Sequence, residues 1–169
     1  GLFVPERIPQ ADMAVAERLA AEAYPALAGY LAGLFFGDDF DAQVIQRELD
    51  SLYDFPVPLR VVGRGRYTLE LFHGPTCAFK DFGAGFMGRM IGLLGAAEEK
   101  LVILTATSGD TGSAVAHGFY NVPGVEVVVL YPEGKISRLQ ECQMPALGGN
   151  IHPLRVAGTI ADCQRLVQE

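Results

Sequence analysis

One lysine stands where a predicted strand gives way to a glycine-rich helix. Lys80 lies in the run Phe72–Gly83, which reads FHGPTCAFKDFG. The N-terminus of a helix carries partial positive charge, which disfavours an ammonium group there. A neutral lysine amine can attack an aldehyde and link covalently to a carbonyl cofactor. From position alone, however, an ordinary solvated lysine on an amphipathic helix is the simpler interpretation.

A turn rich in glycines and hydroxyls connects the next predicted strand to its helix. It is Thr107–Ser113, with the sequence TSGDTGS. Glycines let an anion approach the backbone, and a helix N-terminus offers unpaired N–H donors. The hydroxyls of Ser108, Thr111 and Ser113 add further donors. The turn therefore predicts a site for a carboxylate or a phosphate, although helix capping by serine or aspartate explains it equally well.

A third segment with a cation and a hydroxyl follows the strand after that. Tyr131–Ser137 reads YPEGKIS. Lys135 and Ser137 are suited to a phosphate at the start of a helix. A loop lysine and an N-cap serine account for the same residues at least as well.

Composition and spacing exclude several classes of function. The net charge of −7 argues against a nucleic-acid binder, which normally carries a basic stripe. No run of about 18 apolar residues predicts a membrane span. Gly83–Gly88 matches the dinucleotide pattern GxGxxG, but it falls inside a predicted helix rather than in the turn after a strand. Binding of a nicotinamide dinucleotide is therefore not expected.

The cysteines and histidines predict neither a disulfide framework nor a metal site. The three cysteines are odd in number and lack CxxC spacing, and the histidines lack HxxxH spacing. We expect reduced thiols in a cytosol-like compartment, and so a cytoplasmic protein. The residues concerned are Cys77, Cys142, Cys163, His73, His117 and His152.

The elements that must position these residues form two patterns. Residues 1–54 predict helices from Asp12 to Ala20, from Pro25 in a first turn to Phe36, and from Asp41 to Leu52. Beyond them, strands and helices alternate. Residues 55–100 are expected to hold two strands and the lysine helix, and residues 101–169 three βα units. The predicted strands span 60–62, 67–72, 101–104, 125–130 and 151–156, and the last three helices span 113–120, 137–142 and 159–167. This alternation predicts an α/β fold with a parallel sheet covered on both faces. We expect such a sheet to need more residues than the sequence contains up to Glu169.

The three chemical segments together resemble one enzyme family. FHGPTCAFKDFG is similar to the segment around the cofactor lysine of threonine synthases. TSGDTGS resembles their form of a loop found across tryptophan-synthase-like pyridoxal-phosphate enzymes, and YPEGKIS resembles a further family segment. The similarity runs from Gly1 to near the end of the chain.

The resemblance implies a fold, a cofactor and a reaction. It implies an N-terminal helical segment followed by the parallel βα units of a fold type II pyridoxal-phosphate enzyme, incomplete in this chain. Threonine synthases, which are carbon–oxygen lyases, convert O-phospho-L-homoserine and water to L-threonine and phosphate in threonine biosynthesis. Lys80 would hold pyridoxal phosphate and move protons, and Asp110 would face the cofactor ring. The residues implied for the substrate carboxylate are Ser108, Gly109, Thr111 and Gly112, and those for its phosphate are Lys135 and Ser137.

One departure from the family pattern keeps other interpretations open. The family's loop for the cofactor phosphate, of the type SGNFG, has no counterpart before Glu169. We therefore expect this chain to carry the lysine side of the site. The alternatives are a related pyridoxal-phosphate enzyme acting on serine, threonine or cysteine derivatives, and a non-catalytic fragment.

Overall fold

The computed structural model describes residues 4–95 and 100–169. The chain separates into two compact units, Gly1–Val57 and Pro58–Glu169. The first unit is helical and the second is mixed α/β. All the residues singled out above for chemistry belong to the second unit.

The first unit holds three helices: α1 (Met13–Ala20), α2 (Tyr24–Phe36) and α3 (Ala42–Leu52). Asp12 and Asp41 cap α1 and α3, each accepting two backbone N–H groups, which satisfies donors that a helix start leaves free. Pro25 lies in the first turn of α2. Ile45 and Leu49 of α3 are fully buried. The three predicted helices are confirmed.

The second unit alternates strands and helices. Its elements are β1 (Leu59–Gly63), β2 (Arg66–Leu69), α4 (Lys80–Leu94), β3 (Leu101–Ala106), α5 (Asp110–Gly118), β4 (Val125–Pro132), α6 (Arg138–Gln143), β5 (Ile151–Val156) and α7 (Ile160–Gln168). β1 and β2 form an antiparallel hairpin. β3, β4 and β5 form a parallel sheet in that order. The α/β fold with parallel βα units is confirmed.

The second strand is shorter than predicted. β2 ends at Leu69 rather than at Phe72. Its partner β1 begins only after Pro56 and Pro58, and proline offers no N–H to a ladder. The chain beyond Glu70 therefore leaves the hairpin as a loop toward Lys80.

The core of the second unit lies under the central strand. Val125, Val127, Val129 and Tyr131 alternate along β4 and are buried, in one cluster with Phe119. Successive strand residues point to opposite faces, so these four share one face. Cover on both faces was expected for the whole sheet. It is incomplete at the edge strand β3, where Leu101, Val102 and Leu104 are about half exposed.

Helices α4 and α5 touch at glycines. A Cβ on Gly88 would overlap the carbonyl oxygen of Gly118, and a Cβ on Gly118 would lie 2.7 Å from the carbonyl carbon of Ala84. Because a glycine side chain is only a hydrogen atom, the backbones of the two helices can touch here. The glycine-rich helix α4 therefore approaches α5 closely at Gly88. No such approach occurs at Gly83, where a Cβ would meet nothing within 4 Å.

None of the helices in residues 4–95 and 100–169 has the length and apolar character to cross a bilayer. Within the same ranges, no three His, Cys, Asp or Glu side chains gather in a way that would hold a metal ion. Cys77 and Cys142 are free and exposed, whereas Cys163 is free and buried.

Candidate active site

The chemical segments collect at one edge of the parallel sheet and at the start of α4. Parallel strands end at the same edge, so the loops after β3, β4 and β5 are neighbours. Ala106 pairs with Leu130, and Pro132 pairs with Val156. The turn after β3 and the Lys135–Ser137 loop after β4 therefore lie side by side.

Lys80 is the first residue of α4 and meets the first residue of α5. Its Nζ donates to Oδ2 of Asp110 across 3.0 Å. The Lys80 side chain is 31% exposed and that of Asp110 is 48% exposed, so a ligand from solvent can reach both. The glycine contact of Gly88 with Gly118 lies further along the same two helices, so α4 and α5 run side by side from their starts.

An aromatic ring flanks the amine. Nζ of Lys80 lies 4.4 Å from the centroid of the Phe79 ring, a cation–π distance. Phe79 is 62% exposed. The lysine amine therefore lies between a carboxylate and a ring face and opens to solvent.

A buried carboxylate next to the lysine holds the preceding loop. Asp81 is 5% exposed, and it accepts the backbone N–H of Thr76 at 3.0 Å and the Thr76 hydroxyl. Gly74 packs on it so closely that a Cβ there would lie 3.0 Å from the Asp81 Cβ. These contacts tie the loop to the first turn of α4 and so place Lys80. Sequence reasoning assigned Asp81 no role, because nothing local marks a bond to a residue five positions earlier.

A threonine organises the turn after β3. Thr107 is 2% exposed, and its Oγ1 accepts N–H groups from Gly109 at 3.1 Å and Gly112 at 2.9 Å. The same hydroxyl donates to the Gly109 carbonyl at 3.0 Å. The resemblance implied that Gly109 and Gly112 bind a carboxylate. Their backbone N–H groups instead point at Thr107.

Three hydroxyls in this turn form no hydrogen bond with the described residues. The side chains of Ser108 and Thr111 bond to none of the described residues. The Ser113 hydroxyl is buried and likewise has no partner among them. Buried hydroxyls are normally satisfied. The turn therefore presents donors for a further polar group, and the structure brings them within one helical turn of Asp110.

Ser137 and Lys135, in the loop after β4, differ in their contacts. Ser137 caps α6 in a capping box with Gln140, so its hydroxyl does what the alternative interpretation expected. Lys135 is exposed, and its ammonium forms no ion pair in the part of the chain that the structure describes. Gly134 makes the turn at a positive φ of 64°.

Gln140 was missed by sequence reasoning and joins the two loops. Its side-chain amide packs on Gly109, since a Cβ on that glycine would lie 2.9 Å from Gln140 Nε2. The signal was present in the sequence as Ser137-x-x-Gln140, which is the capping-box spacing. The contact with Gly109 is a tertiary one and leaves no local pattern.

An ion pair and a hydrogen bond connect α6 to strands β5 and β4. Nη2 of Arg155, on β5, lies 2.8 Å from Oε1 of Glu141, on α6. The Tyr131 hydroxyl lies 3.4 Å from the same carboxylate oxygen. Hydrogen bonding with Tyr131, followed by the charge of Glu141, raises the pKa of Arg155. The helix that carries Gln140 is therefore anchored to the strand ends.

Comparison with known proteins gives consistent relatives. A threonine synthase from Serratia marcescens is 42% identical over 169 residues, covering all of this chain and 39% of the relative. The crystal structure of threonine synthase from Escherichia coli matches with a TM-score of 0.84 at 41% identity. That of threonine synthase with bound pyridoxal phosphate from Brucella melitensis matches with a TM-score of 0.90 at 33% identity.

Coverage of the relatives is partial. The two crystal structures match 99% of this chain, which covers 39% and 38% of them. No protein-family model matches the chain. Over its whole length the chain is a homologue of threonine synthases, and it spans 39% of the length of the relative from Serratia marcescens.

Proposed function

We propose that this chain supplies the lysine side of the active site of a threonine synthase, an enzyme that converts O-phospho-L-homoserine and water to L-threonine and phosphate. The observation that carries the proposal is the pairing of Lys80 with Asp110 at 3.0 Å. It occurs in a chain that is similar over its whole length to threonine synthases. Because the chain spans 39% of such a relative, the complete reaction is proposed for the protein that holds both sides of the site.

The donor set fits pyridoxal phosphate. A primary amine suits the cofactor aldehyde, and Lys80 presents one at the edge of solvent. The carboxylate of Asp110 lies beside that amine, and the unpaired hydroxyls of Ser108, Thr111 and Ser113 lie in the adjoining turn. When bound, the cofactor supplies an electron sink for negative charge that develops at the substrate α-carbon.

Residues of the chain have the other roles in the proposed reaction. Oδ2 of Asp110 accepts a hydrogen bond from the amine of Lys80 across 3.0 Å and would hold this amine in place for the cofactor aldehyde. The same amine then moves protons at the substrate α-carbon and its neighbours. The Ser108–Gly112 turn binds the α-carboxylate. The exposed ammonium of Lys135 provides a charge for the substrate phosphate.

Two substrates separate the proposal from its alternatives. We expect the protein to release phosphate from O-phospho-L-homoserine, and Lys80→Ala to abolish this release. Lys100→Ala is the matched control, because Lys100 pairs with Glu126 and is 74% exposed, at the opposite end of β3. Deamination of L-serine without phosphate release would favour the dehydratase-like alternative. Absence of both activities in the protein with both sides of the site would favour a non-catalytic role.

A further inference from the structure

The side-chain amide of Gln140 is held at one end only. Its Oε1 accepts the Ser137 hydroxyl at 2.9 Å and the Ser137 backbone N–H at 3.4 Å. A backbone N–H can only donate, so the atom that faces it must be the amide oxygen. The orientation of the amide therefore follows from chemistry, and Nε2 points away from Ser137.

The other end of the amide carries unused donors beside the turn. The amide lies against Gly109, where the position that a Cβ would take is 2.9 Å from Nε2 and 3.2 Å from Oε1. Within residues 4–95 and 100–169, Nε2 donates to no acceptor. The amide is only partly buried, so a ligand in the turn can reach it. In the same turn of α5, the buried Ser113 hydroxyl also lacks a partner among the described residues.

We propose that Nε2 of Gln140 donates a hydrogen bond to the α-carboxylate of the amino-acid substrate held by the Ser108–Gly112 turn. The inference rests on the proposed function and adds a binding residue to it. A carboxylate in this turn lies near the charged Asp110 and needs donors to offset that repulsion. The N–H groups of Gly109 and Gly112 are directed at Thr107, which makes a side-chain donor at Gly109 more important.

The capping box allows a clean test. Glutamate serves at this position of a capping box as well as glutamine does. Gln140→Glu therefore keeps the bond to Ser137 and the fold of α6 while it removes both donors. Gln140→Met removes the donors without adding charge. Gln143→Glu makes the same charge change at a partly buried glutamine of the same helix and is the control.

Two ligands that differ only in the carboxylate report on the bond. The affinities of L-norvaline and L-norvalinamide are measured by calorimetry on protein loaded with pyridoxal phosphate. A lost hydrogen bond to a charged group predicts about tenfold to hundredfold weaker binding of L-norvaline in Gln140→Met, with a larger loss in Gln140→Glu. L-norvalinamide should bind all variants alike. Equal L-norvaline affinity in Gln140→Met and the parent, or equal losses for both ligands, overturns the proposal.

A separate readout distinguishes this failure from failure of the proposed function. Borohydride reduction followed by mass mapping shows whether the cofactor links to Lys80, and Gln140 takes no part in that link. Linkage at Lys80 with unchanged L-norvaline affinity in Gln140→Met overturns the role of Gln140 alone. Absence of linkage at Lys80 overturns both.

Discussion

Nζ of Lys80 lies 3.0 Å from Oδ2 of Asp110, so the first residue of α4 pairs with the first residue of α5. The two residues are thirty positions apart in the chain. The same two helices touch again at Gly88 and Gly118, where their backbones come together. The geometry of the lysine is therefore a property of helix packing as much as of its local motif.

The contact between α4 and α5 predicts opposite effects of alanine at two glycines of α4. Gly88→Ala places a methyl group against the Gly118 carbonyl, and we expect a loss of about 1–3 kcal/mol in the free energy of unfolding, as overpacking costs. Gly83→Ala meets nothing within 4 Å and should stabilise the helix by up to about 1 kcal/mol. Urea unfolding followed by circular dichroism measures both. Equal effects at the two sites would contradict the packing described.

The hydroxyl of Thr107 predicts a stability cost specific to the turn. Thr107→Val keeps the shape of the side chain and leaves the buried N–H groups of Gly109 and Gly112 without their acceptor. The cost of a buried unsatisfied group predicts a loss of about 1–3 kcal/mol in unfolding free energy. Thr68→Val, at an exposed position of β2, is the control and should leave the urea midpoint nearly unchanged. A midpoint shift no larger than that of Thr68→Val would count against the turn described.

Glu126 predicts a pH-dependent contribution to stability. Its carboxylate contacts His152 at 2.7 Å and Lys100 at 2.9 Å. The hydrogen bond from His152, followed by that from Lys100, lowers the pKa of Glu126 from its ordinary 4.5. A lowered folded-state pKa gives stability that is present above 4.5 and is lost as the pH falls through the lowered value.

Glu126→Gln should therefore unfold at lower urea than the parent at neutral pH, and the difference should shrink as Glu126 becomes protonated in acid. Glu17→Gln, at an exposed position of α1, is the control and should show no such convergence. A difference between Glu126→Gln and the parent that stays constant from neutral to acid pH would speak against the pairing.

The three thiols should differ in reactivity. Burial, and then the charge of Asp162, raises the pKa of the Cys163 thiol, and thiolate is the reactive form. Cys77 and Cys142 are exposed. We expect iodoacetamide to label these two in the folded protein and Cys163 only in urea, as seen by peptide mass spectrometry. Labelling of Cys163 at the rate of the other two in the folded protein would show that α7 does not bury this thiol against the sheet.

Local elements were predictable because their signals are local. Asp12 and Asp41 mark helix starts by capping chemistry. Short apolar runs followed by helices placed the three parallel strands within two residues of their bounds. The position of Lys80 at the start of α4 was predicted and is confirmed.

What escaped prediction depends on contacts between distant segments. The pairing of Lys80 with Asp110 was not predicted, because no spacing rule joins the two helices and the resemblance implied only that Asp110 faces the cofactor ring. The engagement of the Gly109 N–H by Thr107 and the contact of Gln140 with Gly109 follow from how loops pack. A glycine in a sequence shows that space is needed, but not which neighbour fills it.

The assignment of Lys80 as the cofactor lysine is tested most directly by chemical trapping. The protein is incubated with pyridoxal phosphate, reduced with borohydride, digested and mapped by mass spectrometry. We predict that the reduced cofactor is found on the peptide that contains Lys80, and that Lys80→Ala removes it while Lys100→Ala does not. Modification spread over exposed lysines such as Lys100 and Lys135, with none preferred at Lys80, would contradict the assignment.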